Sequence, residues 1–153
     1  MFTADFFNAA AECANPAQAE RPIEYKGRIL RSKNELIGCQ IIEKLGYEFK
    51  VEIAVGSDPF YMLYPDITFL VPEQERCIGV EINGAVDNIK YANKSLNRQS
   101  EYIKNGLMIS KDVIFVDIAD SGSFYVRQFE TQVKLAVMAG LDDIIFPDKR
   151  RRG

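Results

Sequence analysis

Residues 64–83 read YPDITFLVPEQERCIGVEIN, two short apolar runs separated by a polar turn. The pattern predicts a strand over residues 64–71, a turn over residues 72–76 and a second strand over residues 77–82. Immediately upstream, residues 49–55 alternate apolar side chains with Lys50, Glu52 and Ala54, which predicts a half-buried strand. The three strands follow one another closely, so we expect them to pair as a meander.

Helical patterns flank this meander. Ser32 to Glu35 has the form of a capping box, and the apolar residues after it recur at helical spacing until Gly46. Residues 88–104 and 124–139 predict two further helices, the second ending at Gly140, and residues 113–118 predict a buried strand between them. Residues 1–25 predict a short helix and a linker. The order indicates an α/β protein, a mixed sheet with helices packed against it.

Composition excludes several classes of protein. The 153 residues are 47% hydrophobic and 27% charged, which is typical of one globular domain. The absence of histidine excludes Ser-His-Asp triads, Cys-His dyads and histidine-ligated zinc. Cys13, Cys39 and Cys77 are odd in number and lie among apolar residues, so we expect reduced thiols in a cytoplasmic protein. No membrane span or secretion signal is recognised, so we expect no membrane partner.

Two carboxylates lie at the ends of neighbouring predicted strands. Asp66 opens the second strand of the meander and Glu81 comes near the end of the third, so pairing would bring them to one edge of the sheet. Carboxylate and carbonyl oxygens suit Mg²⁺ or Mn²⁺, and the Ile82 carbonyl is a candidate third ligand. The alternative is that Asp66 belongs to a turn after Pro65 and Glu81 merely ends a strand. The alternative explains Glu81 less well, because Glu81 is a charged residue within an otherwise apolar strand.

These residues resemble the PD-(D/E)XK nuclease superfamily. The likeness rests on Pro65-Asp66 and, after fourteen residues, Glu81-Ile82-Asn83, within an α-β-β-β-α-β order. A bacterial and phage subgroup is similar over residues 31–107, which is about half the chain. Its motifs match Arg31-Ser32-Lys33-Asn34-Glu35, Glu81, Gly84, Asp87-Asn88, Tyr91, Lys94, Tyr102 and Asn105-Gly106. The resemblance implies a restriction-endonuclease-like fold and Mg²⁺- or Mn²⁺-dependent cleavage of phosphodiesters.

By this resemblance Asp66 and Glu81 are metal ligands together with the Ile82 carbonyl. Glu35 approaches the same metal, directly or through water, although a glutamate in a capping box needs no metal. Glu52 also falls where the subgroup carries a glutamate, with a solvated strand residue as the alternative.

The chain departs from the superfamily at the lysine of the E-x-K motif, where it has Asn83. Asn83 can orient a water molecule or donate to a phosphate oxygen, but it carries no positive charge. Lys94 matches the subgroup's spacing and is the preferred replacement, and Lys50 is the second candidate; Lys33 is less suited because it adjoins the helix cap. Either replacement would stabilise charge that develops on the phosphoryl oxygens.

A basic stripe is predicted on the helix that follows Glu81. Lys90, Lys94 and Arg98 recur every four residues and so share one face, which suits a nucleic-acid backbone, with Lys50 as a further contact. Gln99 and Tyr102 on the same helix resemble a Gln-Tyr pairing of exonuclease-like relatives. The alternative is an ordinary solvated helix face, and the net charge of −3 argues weakly against a protein that coats nucleic acid.

The sequence therefore predicts a nuclease-like domain over residues 26–148, after an N-terminal extension over residues 1–25 and before a basic tail over residues 149–153. The expected partner is nucleic acid, with DNA favoured over RNA by the resemblance alone, and a homodimer is compatible with the sequence. The alternatives are a catalytically impaired nucleic-acid-binding module, favoured by Asn83 and the net acidity, and a protein-assembly domain whose acids are incidental.

Overall fold

The computed structural model describes residues 1–12, 22–84, 89–118 and 122–145. The helices are α1 (Ala4–Ala9), α2 (Lys33–Lys44), α3 (Ile89–Lys104) and α4 (Val126–Ile145). The strands are β1 (Ile23–Tyr25), β2 (Arg28–Leu30), β3 (Phe49–Val51), β4 (Ile67–Val71), β5 (Arg76–Asn83) and β6 (Val113–Asp117). A short 3₁₀ turn, Pro72–Gln74, joins β4 to β5. The chain is an α/β protein, as predicted.

A four-stranded mixed sheet in the order β3-β4-β5-β6 forms the centre of the fold. The first two pairings are antiparallel, so the predicted meander is confirmed, and β6 pairs parallel to β5 after the α3 crossover. Both central strands are apolar almost throughout, because each of their faces is covered by helices.

Alternating residues of the strands divide the core into two layers. One layer packs Ile67, Ile78 and Ile114 against α2 and α4. The opposite layer packs Phe7 of α1 and Tyr102 of α3 against the other face of the sheet. Helix α3, which follows β5 in the chain, packs over this second face of the sheet. Glu81 projects from β5 towards the same helix.

The start and end of α2 are set by local chemistry. Ser32 caps the helix by accepting from the Glu35 N–H at 3.2 Å, and the Glu35 carboxylate accepts in return from the Ser32 N–H at 3.1 Å. After the last turn Gly46 adopts φ +91°, a left-handed conformation that favours glycine. The predicted capping box and helix end are confirmed.

The predicted end of α4 at Gly140 is wrong, since the helix continues to Ile145. Gly140 is buried against β5, and a Cβ atom there would collide with the side chains of Gln74 and Arg76. The Arg76 guanidinium donates to the Ala136 carbonyl at 2.6 Å, which holds the two elements together. Glycine at this position permits a close approach and does not end the helix.

Two strand boundaries and one hairpin also differ from prediction. The first strand of the meander ends at Val51, because Glu52 takes a left-handed conformation, and a single bridge at Val55 continues the pairing. The next strand begins at Ile67 and not at residue 64. The hairpin of β1 and β2, turned through Lys26 and Gly27, was not predicted. It packs Ile23, Tyr25 and Leu30 against the core layer that includes α2.

Two further observations bear on the predicted class of protein. Cys39 and Cys77 are buried free thiols, and burial raises the pKa of each to about 12, so neither is suited to act as a nucleophile. Cys13 lies outside the described residues. In the part of the chain that the structure describes, no helix has the length and apolar character needed to cross a membrane.

Candidate carboxylate site

Acidic residues from three neighbouring strand ends meet at one edge of the sheet. The antiparallel register that pairs Ile67 with Val80 continues to place Asp66 opposite Glu81. On the other side, the Glu52 N–H donates to the Asp66 carbonyl at 3.4 Å. Residues directly opposite each other in antiparallel strands project from the same face. The structure therefore brings Asp66 and Glu81 together, and Glu52 with them.

Glu81 is fully buried, with 1% of its surface exposed. The Tyr102 hydroxyl donates to one carboxylate oxygen at 2.5 Å, and the Arg98 guanidinium donates to the other at 3.0 Å. Burial raises the pKa of Glu81, while Arg98 and Tyr102 oppose that rise. Tyr102 and Arg98 are one turn apart on α3, so this helix supplies both partners of the buried acid.

Asp66 and Glu35 form the middle of the site. One Asp66 oxygen accepts from the Ile82 N–H at 2.7 Å, and the Glu35 and Asp66 carboxyl groups lie within hydrogen-bonding reach of each other. Burial raises the pKa of Asp66 well above its usual value, and the nearby charge of Glu81 adds to that rise. Burial likewise raises the pKa of Glu35, against the hydrogen bond from the Arg31 N–H. Glu35 thus serves the helix cap and the site together.

Glu52 is buried and not solvated, which corrects the alternation predicted for its strand. Its φ of +49° is uncommon for a residue with a side chain. One oxygen pairs with the Arg31 guanidinium at 2.7 Å. The other oxygen is buried and accepts no hydrogen bond from any residue that the structure describes. Burial raises the pKa of Glu52 as well.

We refer to Glu35, Glu52, Asp66 and Glu81 as the carboxylate cluster. A pocket of about 140 Å³ opens onto it and is called the acidic pocket. Its lining residues are Arg31, Glu52, Met62, Leu63, Tyr64, Asp66 and Arg98. When every group is ionised, four carboxylates face two guanidinium groups. The cluster then carries an excess of two negative charges in a poorly solvated place, which is why burial raises all four pKa values.

The Ile82 carbonyl faces the same edge of the sheet. The Asn83 carbonyl accepts a hydrogen bond from the Ile118 N–H on the β6 side. Carbonyl groups of successive residues in a strand point in opposite directions, so the Ile82 carbonyl points towards β4. The residue opposite it in the register is Pro65, which has no N–H to donate. An oxygen acceptor is thereby left next to Asp66.

A second pocket adjoins the first on the far side of Arg98. We call it the outer pocket; it encloses about 170 Å³ and is lined by Ile82, Asn83, Gly84, Lys94, Ser95 and Arg98. The Asn83 amide donates to the Ser95 hydroxyl at 3.0 Å and to Asp117 at 3.4 Å, so it ties α3 to the sheet. Lys94 is exposed and makes no ion pair with any described residue. Lys94 and Arg98 therefore present their charges to one cavity.

The remaining candidates lie elsewhere. The Lys50 ammonium donates to the carbonyls of Phe7 and Ala10 at 2.6 and 2.8 Å, so it binds the end of α1 and is not brought to the cluster. The backbone of Lys90 belongs to α3, but its side chain lies outside the described part of the chain. Residues 85–88, which include Asp87 and Asn88 of the subgroup motif, and residues 146–153 with the basic tail also lie outside it.

Sequence reasoning missed two pairings. Arg31 was noted only as part of a motif, yet its side chain holds Glu52. Arg98 was assigned to a nucleic-acid surface, yet it pairs with Glu81. A buried glutamate needs a cationic or hydrogen-bonding partner, so Glu81 within an apolar strand was a signal that such a partner exists. Nothing in the sequence said which basic residue it is.

Comparisons of the chain with protein-family models, with curated proteins and with solved structures found no match in any of the three. The contacts and charges of the carboxylate cluster are therefore the observations that bear on function.

Proposed function

We propose that the chain is a nuclease of PD-(D/E)XK type with a restriction-endonuclease-like fold. In this proposal it uses Mg²⁺ or Mn²⁺ to hydrolyse phosphodiester bonds in nucleic acid, and DNA is the preferred substrate class. The chain order from α2 to β6, with three antiparallel strands, a helix and a parallel strand, is compatible with that fold. The resemblance of residues 31–107 to the phage and bacterial subgroup supports the same proposal.

The burial of four carboxyl groups beside only two guanidinium groups, those of Arg31 and Arg98, is the observation that carries the proposal. Burying several ionised carboxylates is costly unless cations accompany them. Arg31 and Arg98 can balance only two of the four charges, and one buried Glu52 oxygen has no hydrogen-bond partner among the described residues. A divalent cation would supply the charge that is lacking.

The donor set fits a hard divalent cation. Asp66, Glu81 and the Ile82 carbonyl would hold it, with Glu35 and Glu52 beside them, and all of these ligands are oxygens. No preformed cage of three or more acidic or sulfur ligands is found among the described residues. Side chains must therefore rearrange for binding, and Glu81 is the one whose two oxygens are already engaged. A cation held here would polarise a phosphate and lower the pKa of water beside it.

The residues around the site would bind and orient the substrate. Lys94 and Arg98 present positive charge in the outer pocket, next to the cluster, where a phosphodiester could bridge the two. The buried Tyr102 hydroxyl keeps Glu81 oriented, and burial raises its pKa, so it stays a hydrogen-bond donor at neutral pH.

Titration with Mg²⁺ and Mn²⁺, followed by calorimetry and by nicking of supercoiled plasmid, tests the proposal. The wild-type protein should bind the cation and nick the plasmid, and Asp66→Ala should do neither. Glu101→Gln is the matched control, because Glu101 is an exposed acid of α3 whose side chain pairs with Lys104. Cation binding with no nicking under any condition would reject the nuclease activity.

Two observations favour a catalytically impaired nucleic-acid-binding module instead. Both Glu81 oxygens are occupied by side chains of the protein, and the neutral Asn83 occupies the lysine position of the motif. Such a module should bind DNA equally well with and without divalent cations. Fluorescence anisotropy of a labelled duplex in EDTA and in Mg²⁺ separates the two functions.

A further inference from the structure

Arg98 stands between two cavities. Its guanidinium pairs with the buried Glu81 at 3.0 Å, yet its side chain keeps 42% of its surface exposed. It lines the acidic pocket on one side and the outer pocket on the other. A flexible side chain in this place can turn towards either cavity while its Cα stays fixed on α3.

Arg98 occupies the place of a counter-ion to Glu81. With Tyr102 it donates one hydrogen bond to each oxygen of Glu81, so a metal ion that coordinates this carboxylate meets a donor on either oxygen. Burial acts to lower the pKa of Arg98, and the charge of Glu81 outweighs it, so the guanidinium stays charged. A cation at Glu81 would meet the like charge of Arg98, so the two compete for this carboxylate.

The outer pocket offers Arg98 a second partner. Lys94 lines this pocket, makes no ion pair with a described residue, and lies one helical turn before Arg98. The Ser95 hydroxyl lines it too. Two positive charges and a hydroxyl around one cavity suit a phosphate group, and a guanidinium binds phosphate through two parallel hydrogen bonds.

We propose that Arg98 exchanges partners. Before a divalent cation binds to the carboxylate cluster, Arg98 neutralises Glu81. Once a cation has replaced it at Glu81, Arg98 binds a phosphodiester in the outer pocket together with Lys94. This inference rests on the proposed function, since it requires that the cluster binds a cation. It makes Arg98 a residue that couples cation binding to substrate binding.

The exchange has two thermodynamic consequences. Removing Arg98 removes the competitor, so cation affinity should rise and not fall. In the wild-type protein a phosphodiester should hold Arg98 away from Glu81 and thus strengthen cation binding, and by linkage the cation should strengthen phosphodiester binding by the same factor.

The test measures Mn²⁺ affinity by calorimetry, with and without a saturating phosphorothioate oligonucleotide that resists hydrolysis. Without oligonucleotide, Arg98→Gln should bind Mn²⁺ about tenfold more tightly than the wild type, which is within the usual range of coupling between sites. The oligonucleotide should raise the affinity of the wild type but not that of Arg98→Gln. Lys104→Gln is the control, because it removes an exposed positive charge from the same helix and should change neither value.

A second variant keeps the inference testable even if Arg98→Gln does not fold. Lys94→Gln, at an exposed position, should leave Mn²⁺ affinity unchanged and reduce the enhancement by the oligonucleotide. Equal or weaker Mn²⁺ binding by a folded Arg98→Gln would overturn the exchange and leave the proposed function standing. Lack of Mn²⁺ binding by both proteins would overturn both.

Discussion

Lys94 is the residue on which the interpretation of Asn83 depends. The resemblance implies a positive charge two residues after Glu81, and this chain has an amide there that is engaged with Ser95 and Asp117. Lys94 lines the adjacent cavity and makes no ion pair within the described part of the chain, whereas Lys50 is bound to the end of α1. The structure is thus compatible with the preference for Lys94 over Lys50.

Lys94→Ala should lower the rate of plasmid cleavage by about two orders of magnitude, the usual loss when one group that stabilises transition-state charge is removed. The free energy of unfolding should change by less than about 0.5 kcal/mol, because the side chain is exposed. Cleavage rate and urea denaturation are the measurements. Full activity in Lys94→Ala, with Lys104→Ala also unchanged, would show that the assignment is wrong.

Glu52 combines a strained backbone with a buried, half-satisfied carboxylate. Such combinations persist where function requires them and lower the stability of the protein. Glu52→Gly should therefore raise the free energy of unfolding in EDTA by about 1 kcal/mol, since glycine accepts a positive φ and removes the buried charge.

Glu52→Ala separates these two causes. It removes the same carboxylate but keeps a Cβ atom, so it should be less stable than Glu52→Gly by about 1 kcal/mol. Urea denaturation of both variants in EDTA is the measurement. Equal stability of the two would contradict the claim that backbone strain is stored at this position.

At this scale the sequence predicted some of the site and missed the rest for identifiable reasons. Asp66 and Glu81 were predictable because register places residues of adjacent strand ends opposite each other. The burial of Glu52 was not, since an alternating pattern does not report that helices also cover the second face of the strand. The hydrogen bonds of Lys50 to α1 and the ion pair of Arg98 with Glu81 join residues that are far apart in the sequence. Periodicity reports only local structure, so it could not predict these contacts.

At the scale of elements, Gly140 shows how one residue type carries two meanings. Glycine after a helical pattern usually marks a helix end, but here it lies inside α4, where Gln74 and Arg76 leave no room for a side chain. At an exposed position inside a helix, Gly→Ala stabilises a protein by about 1 kcal/mol. At a packed position it should lower the free energy of unfolding, so the sign of the change distinguishes an exposed Gly140 from a packed one.

Gly140→Ala should lower the free energy of unfolding by about 1–3 kcal/mol, the usual cost of forcing a group into a packed place. The change should leave cation binding intact, because the contact joins α4 to the 3₁₀ turn and the first residue of β5 and not to the cluster. Thermal unfolding is the measurement. Met138→Ala, at an exposed position of the same helix, is the control and should have little effect. Stabilisation by Gly140→Ala would contradict the packing argument.

Other elements were predictable because their signals are local. The capping box and Gly46 define α2 within a few residues, and the two apolar runs of the meander define β4 and β5. The β1–β2 hairpin escaped prediction because its strands have three residues each, too few to establish an alternation. Its stability comes from packing against the core, which only the fold supplies.

For the whole molecule, stability and function are linked through the charge of the carboxylate cluster. A carboxyl group whose pKa is higher in the folded than in the unfolded protein binds more protons when folded. Its contribution to stability is therefore greatest at low pH and is lost as the pH rises from the unfolded value, about 4, through the raised folded value. Glu35, Glu52, Asp66 and Glu81 all shift in this direction.

In EDTA, the wild-type protein should consequently lose stability relative to Asp66→Asn as the pH rises from about 5 to about 8, because the variant lacks the acid with the strongly raised pKa. Mg²⁺ should reverse this difference at the upper end of the range, since a cation that binds only the folded protein stabilises it and favours ionised ligands. At the lower end protons compete with Mg²⁺ and the effect should shrink. Thermal unfolding of both proteins across this pH range, in EDTA and in Mg²⁺, measures the loss of stability, its reversal by Mg²⁺ and the smaller effect of Mg²⁺ at low pH. A wild-type protein that gains stability over Asp66→Asn with rising pH in EDTA would show that the cluster is neutralised by its own arginines, and the argument for a cation site would then fail.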